Sequence, residues 1–291
     1  INAAGHGLAL AVLAIPIPCS CKNSIHKVFF SFDRFYGDIF NTPAGVFVDS
    51  KNREVYLADS GKNEVLIFDT TGTPLFRMGK VNGISNPVDM VVRSNRIYLS
   101  QEGKDDISIL SYKGDFIGRL RPVDGPFSPG KMTLDKKGNI YVINKARTNC
   151  IVFDKDDRLS GTIGEGLFSI TDVAVANDRI YLITPSDSRA VQVYDKNGNY
   201  LMSYEGLDGR GGTLGLPISA TVDREGYLWL LDALKGIIVY DEKGAELTRF
   251  RVSGQSKAEL QFPVEIDIDD EDMLYVVDKG SKRVVVFKID R

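Results

Sequence analysis

The 291-residue sequence predicts an all-β fold: a six-bladed β-propeller of four-stranded antiparallel blades, closed by its own N-terminal strand. Three observations predict it. Residues 42–79 read as four short strands marked by Val46 and Val48, Val55 to Leu57, Val65 to Phe68, and Leu75 with Phe76. The SKN, DSGKN and TTG stretches between them supply turn residues. That unit then recurs, with blades starting near 42, 86, 128, 169, 216 and 262. Pro43, Pro87, Pro129, Ile170, Pro217 and Pro263 mark the register, at spacings of 44, 42, 41, 47 and 46 residues. A four-strand period of about 40–50 residues is that of a propeller blade. Finally, the sixth unit ends after its third strand (RVVVFKID), while an unassigned strand, residues 25–36 (IHKVFFSFDRFY), precedes the first. Completing blade six with that strand ties the ends together and removes two exposed sheet edges.

A single meander of this kind exposes too much apolar surface to stand alone, so the copies must stack. Length alone suggests about two domains. The repeat overrides that and assigns residues 25–291 to one propeller, with residues 1–24 as an apolar arm outside it. Basic and acidic residues nearly balance, 36 against 39, for a net charge of −3. No basic stripe appears, which excludes nucleic acid as the expected partner. No apolar run reaches the roughly 20 residues of a membrane-spanning helix, so membrane anchoring is not the favoured reading.

The arm (INAAGHGLALAVLAIPIPCSCKNS) is uncharged and apolar from Leu8 to Pro18. Three readings are open: a secretory signal, a segment preceding a lipid-modified Cys19, and an extended arm stiffened by Pro16 and Pro18. The third is favoured, with Leu8, Leu10, Val12, Leu13, Ile15 and Ile17 as contacts to a protein partner or a second subunit, because an unpaired apolar strand invites pairing; folding back onto its own propeller is the alternative for the same arm. This segment also places the protein outside the cytoplasm, in the periplasm, at the cell surface or secreted. Cys19, Cys21 and Cys150 make no disulfide framework; Cys150, on a third strand, reads as a buried inert thiol.

Several polar positions recur in register. The second strands end at Asp59, Gln101, Asn144, Thr184, Asp232 and Asp278, and four third strands end in an aromatic–acidic pair such as Phe68-Asp69. Short polar side chains there are suited to bonding turn backbone. The third residues of the inner strands are Gly45, Asp89, Lys131, Asp172, Ser219 and Glu265. Asp89, Lys131, Asp172 and Glu265 are therefore the channel-mouth candidates. Three carboxylates converging there form a candidate set for a hard cation such as calcium; the competing expectation is mixed-sign pairing around channel water and no cofactor.

The pattern G…F-x-x-P-x-G-[IV]-x-[VI]-D…[IL]-Y-V-x-D…[RN]-V-x-V-F-D resembles the NHL-repeat β-propeller family over residues 25–291. Blades one, five and six match it well, and blades two, three and four keep the strands with fewer signature residues. Gly164-Glu165-Gly166-Leu167-Phe168, and Gly254 leading to Phe262-Pro263, also fit its lead-in. Amidating lyases with such repeats hold zinc through several histidines, a set this chain lacks, having only His6 and His26. Calcium-dependent six-bladed lactonases use an acid/Asn/Asp set; Asp89, Asp172 and Glu265 resemble it in composition alone. No nucleophile elbow, Cys-x-x-Cys pair or phosphate loop is present; the Gly-rich Glu205 to Gly215 stretch lacks the strand-to-helix setting. The function expected from these features is a non-catalytic binding or assembly module whose arm makes the contacts. The alternative is a calcium-dependent hydrolase or lyase working at the channel.

Overall fold

The computed structural model describes residues 24–204, 214–250 and 259–290. The arm, with His6, Cys19 and Cys21, lies outside them through residue 23, as does most of the Gly-rich stretch. Six four-stranded antiparallel sheets make up the structure. Blade one shows the common plan, running from inner strand Pro43–Asp49 through Glu54–Asp59 and Glu64–Asp69 to outer strand Pro74–Met78. The other inner strands are Pro87–Arg93, Pro129–Leu134, Asp172–Ala176, Pro217–Val222 and Pro263–Ile268. The only helix among the described residues is the 3-10 turn Lys80–Asn82.

The ring closes as the spare strand requires. Ser24–Phe32 pairs antiparallel with Arg283–Asp290, matching Ile25 with Ile289, Val28 with Phe287 and Phe32 with Val284. The closing strand is shorter than residues 25–36, however. It stops at Phe32, and Arg34–Phe35 folds against Asp38–Ile39 as a separate hairpin. Tyr36 and Gly37, with φ of 46° and 88°, make its two-residue turn, which needs left-handed backbone at both positions. The hairpin puts Phe35 edge-on to Phe68, beneath the Arg77 guanidinium.

Alternation along the strands builds the core between blades. Positions facing one way pack on the preceding blade, and those facing the other way pack on the next. Val46 and Val48 thus meet Tyr275 and Val284 of blade six, while Met90 meets Val65 and Ile67 of blade one. Each second strand also buries one large aromatic: Tyr56, Tyr98, Tyr141, Tyr181, Trp229 and Tyr275. Burial of such a side chain requires a partner for its polar tip. Tyr56 donates to Glu54 at 2.6 Å, Trp229 to Asp223 at 2.9 Å and Tyr275 to Asp269 at 3.3 Å.

The recurring polar positions hold the turns. Asp59 accepts the backbone N–H groups of Asn41 and Thr42, Gln101 that of Ser85, Asn144 that of Ser128, Asp232 that of Leu216, and Asp278 that of Phe262. Each pins the connection from the preceding blade onto the second strand of its own blade. Thr184 departs from this by donating to the Arg189 carbonyl. The third-strand aspartates act within their hairpins, as Asp69 does in accepting from Thr71 and Thr73 N–H.

At Gly45, blade two comes close against blade one. A β-carbon there would lie 2.6 Å from the Val88 carbonyl oxygen and 3.0 Å from Asp89 Oδ1. Backbone cannot yield as a flexible side chain would, so overpacking of about 1–3 kcal/mol is expected. Gly45→Ala should lower the thermal midpoint by several degrees in a melting experiment, without changing the far-UV spectrum. An unchanged midpoint would mean the two blades slide apart freely.

Candidate site at the central channel

The inner strand of each blade is a sheet edge, so its alternate N–H groups point away from the sheet and need acceptors. Neighbouring blades supply them. Glu265 of blade six accepts from Val46 of blade one at 3.0 Å, and Asp267 accepts from Val48 at 2.7 Å. Asp89 of blade two takes the Met132 N–H at 2.8 Å, and Asp172 of blade four takes Ala220 at 2.9 Å. Ser219 of blade five takes Ile266 at 3.2 Å. Gly45 and Lys131, at the equivalent positions of blades one and three, have no acceptor to offer.

Lys131 does something else. Its side chain leaves blade three and crosses the opening, placing Nζ against Glu265 Oε2 of blade six. Nζ also donates to the Ala44 carbonyl of blade one at 3.0 Å. The four channel-mouth candidates therefore form one cluster, in which Lys131 interacts electrostatically with Glu265, Asp89 and Asp172. All four are largely enclosed, with Asp89 2% and Asp172 4% exposed. Beneath them the channel holds a cavity of about 150 Å³, whose lining includes Asp172, Glu265, Thr133, Thr221 and Asp267. That space accommodates a few water molecules or one small group, and is well below the roughly 300 Å³ of a whole-ligand pocket.

Burial governs the protonation of this cluster. It pushes Asp89 up to about 6 in spite of Lys131, and raises Asp172 and Glu265 as well. Burial works against the Lys131 ammonium too, but the three carboxyl groups outweigh it and raise its pKa. Lys131 opposes the upward shift of all three acids, and burial outweighs it in each. Asp267, two residues beyond Glu265, is pushed up to about 7 by burial, against hydrogen bonds from Val48, Ile268 and Thr221.

The carboxylates Asp89, Asp172 and Glu265 were also the candidate calcium ligands. The Lys131 ammonium already stands against Glu265 of that set, bonded to its carboxylate oxygen and to a backbone carbonyl, the donors a hard cation requires. Calcium does not fit beside it. No cluster of three or more His, Cys, Asp or Glu residues suited to a metal occurs among the described residues. His26 lies on the outermost strand of blade six, away from the channel. Cys150 is fully enclosed, and burial pushes its thiol up to about 12. Reasoning from sequence missed Asp267; its signal was the alternation of acids in Glu265-Ile266-Asp267-Ile268-Asp269.

No family model matches the chain, and no curated protein sequence does. Solved structures do. Virginiamycin B lyase from Staphylococcus aureus superposes with a TM-score of 0.64 at 11% identity, covering 90% of this chain and 99% of the lyase. A gluconolactonase from Xanthomonas campestris gives 0.66 at 14% identity, covering 86% and 87%. A luciferin-regenerating enzyme gives 0.63 at 15%, covering 87% and 92%. At such identities the likeness establishes the six-bladed propeller fold. It also corrects the expectation of a non-catalytic assembly module, because these neighbours are enzymes. Substituting one histidine inactivates the lyase, whereas both histidines here, His6 and His26, precede the first blade.

The acids of the channel set a pH dependence. The folded state holds Asp89 and Asp267 protonated up to about 6 and 7, whereas the ordinary value of 3.8 applies when unfolded. Their contribution to stability is complete below that ordinary value and is lost as pH rises through 6 and 7. The half-buried aspartates with lowered values, such as Asp69 and Asp195, titrate below this window. Thermal midpoints should therefore fall from pH 5 to pH 8, and Asp267→Asn should flatten that decline. An equally steep decline in the variant would remove Asp267 from the account.

Proposed function

We propose that this chain is a catalytic propeller of the NHL type, a hydrolase or lyase whose reacting groups meet at the channel mouth. The observation that carries this reading is the Lys131 ammonium enclosed with Glu265, Asp89 and Asp172. Titratable groups shifted by burial and mutual charge, gathered at one opening, are what acid–base catalysis uses. The enzymes of similar fold support it, and the names lyase and gluconolactonase suggest the class of chemistry. The apolar Leu8 to Pro18 sequence supports an extracytoplasmic setting for it.

Hydrolysis of an ester or lactone illustrates the roles. Asp89 takes a proton from water as the oxygen attacks the carbonyl carbon. Lys131, fixed in charge, lies against the carbonyl oxygen as it becomes negative, and a fixed cation in a poorly solvated site is effective there. Glu265, whose acidity burial weakens, is placed to give a proton to the departing oxygen. The bulk of the substrate rests on the loops that lead into the inner strands.

The purified chain should hydrolyse members of a panel of lactones and aryl esters above background. Lys131→Met should lower kcat/KM by about 100-fold or more, as removal of an electrostatic stabiliser does. The acidic limb of the kcat/KM profile should lie near 6 and should disappear in Asp89→Asn. A parent chain without turnover on the panel, or a Lys131→Met variant with full activity, would end the proposal.

A further inference from the structure

We propose that the outer half of blade two is a docking site for a turn of a partner protein that carries an aromatic residue and, three positions later, an acidic one. The pattern for that ligand lies in the chain itself. In blade one, the hairpin of Arg34–Phe35 and Asp38–Ile39 is clasped by side chains of the third and fourth strands. Phe35 sits edge-on to Phe68 at 5.6 Å, beneath the Arg77 guanidinium at 4.8 Å. Asp38 pairs with Lys62 and accepts from Arg77 at 3.0 Å. The Tyr36 hydroxyl donates to the Pro74 carbonyl at 3.1 Å. On the inner side of the clasp, Glu64 stands 3.7 Å from Arg77.

Blade two repeats the clasp without a hairpin in it. One step of 42 residues carries Lys62, Glu64, Phe68, Pro74 and Arg77 to Lys104, Asp106, Leu110, Phe116 and Arg119. The strand register agrees, since Leu66 pairs with Arg77 as Ser108 does with Arg119. All five counterparts line one cavity of about 540 Å³, inside the roughly 300–1,000 Å³ range of ligand pockets. Its inner acid is again paired: Asp106, 5% exposed, lies 3.4 Å from Arg119. Asp105, the other acid of the lining, is taken by Arg121 at 2.9 Å. The outer place that Asp38 fills in blade one has no such occupant. Among the described residues Lys104 makes no ion pair, and Arg119 makes none besides Asp106. Phe116 is 57% exposed beside them. Two available cations next to an apolar wall call for a carboxylate and a ring together, because charge-assisted hydrogen bonds and an aromatic anchor supply affinity and specificity. The N-terminal arm does not meet that description, since residues 1–23 contain no Phe, Tyr, Trp, Asp or Glu. A second copy's hairpin is already engaged on its own blade one.

The site stands apart from the channel and from the proposed activity, so its test reads binding instead of turnover. The probe is a cyclic peptide with the sequence of residues 33–40, DRFYGDIF, ring closure holding its turn in advance. In a calorimetric titration it should bind once per chain, with a dissociation constant below about 1 mM. Arg119→Ala and Lys104→Ala should each weaken it at least ~10-fold, as should Asp38→Asn or Phe35→Ala made in the peptide. Lys104 is exposed and makes no ion pair, so its variant serves even if loss of Arg119 beside Asp106 unfolds the blade. Arg77→Ala should leave the affinity unchanged. No saturation of the parent chain, or full affinity in Lys104→Ala and in a folded Arg119→Ala, would overturn the proposal. Loss of binding in Arg77→Ala alone would also overturn it, because the peptide would then be exchanging with the internal hairpin. A parent chain that sediments as a dimer, and is split by the peptide, would assign the groove to a second copy and overturn the partner named here.

Discussion

Free inner edges are the constraint from which the rest of the ring follows. Six strands bring unpaired N–H groups to the centre of a protein, and each enclosed donor without an acceptor costs about 1–3 kcal/mol. The carboxylates of Asp89, Asp172, Glu265 and Asp267 answer that need by reaching from one blade to the next. Concentrating acids in this way creates a second problem, since like charges gather where solvent is scarce. Lys131 offsets part of that charge, and burial raises the pKa values of the acids. Structure and candidate chemistry therefore come from the same side chains.

The blades were legible because their grammar is local. A side-chain period of two, turn residues at fixed offsets and a recurrent aromatic on the second strand define each sheet before any long-range contact is considered. The polar residues ending the second strands were legible for the same reason, and five of the six hold an incoming connection as their chemistry suggests. The hairpin at Arg34–Ile39 was not. Tyr36-Gly37 is a turn only because Tyr36 adopts left-handed backbone, and a tyrosine gives little warning of that.

The channel was legible in part. Counting three residues from each register mark, Pro43 to Pro263, names Gly45, Asp89, Lys131, Asp172, Ser219 and Glu265. Whether Lys131 turns outward or spans the opening depends on the ring's width and on what stands opposite, and repeat spacing contains neither quantity. Function was the least legible. A propeller lends its shape to unrelated tasks, and the likeness to lyases and lactonases exists in three dimensions at 11% to 15% identity.

The seam between Ser24–Phe32 and Arg283–Asp290 has a consequence for biosynthesis. The earliest described strand off the ribosome finds its place only against the last. Until the C-terminal segment emerges, five blades can assemble, but the torus stays open and the leading strand, with exposed Phe29 and its neighbours, goes unmatched. A contact spanning nearly the whole polypeptide carries a large loop-closure entropy and forms late. Nascent chains are thus vulnerable for as long as translation continues, and any truncation near Arg283 leaves a crescent with two sticky ends instead of a smaller circle.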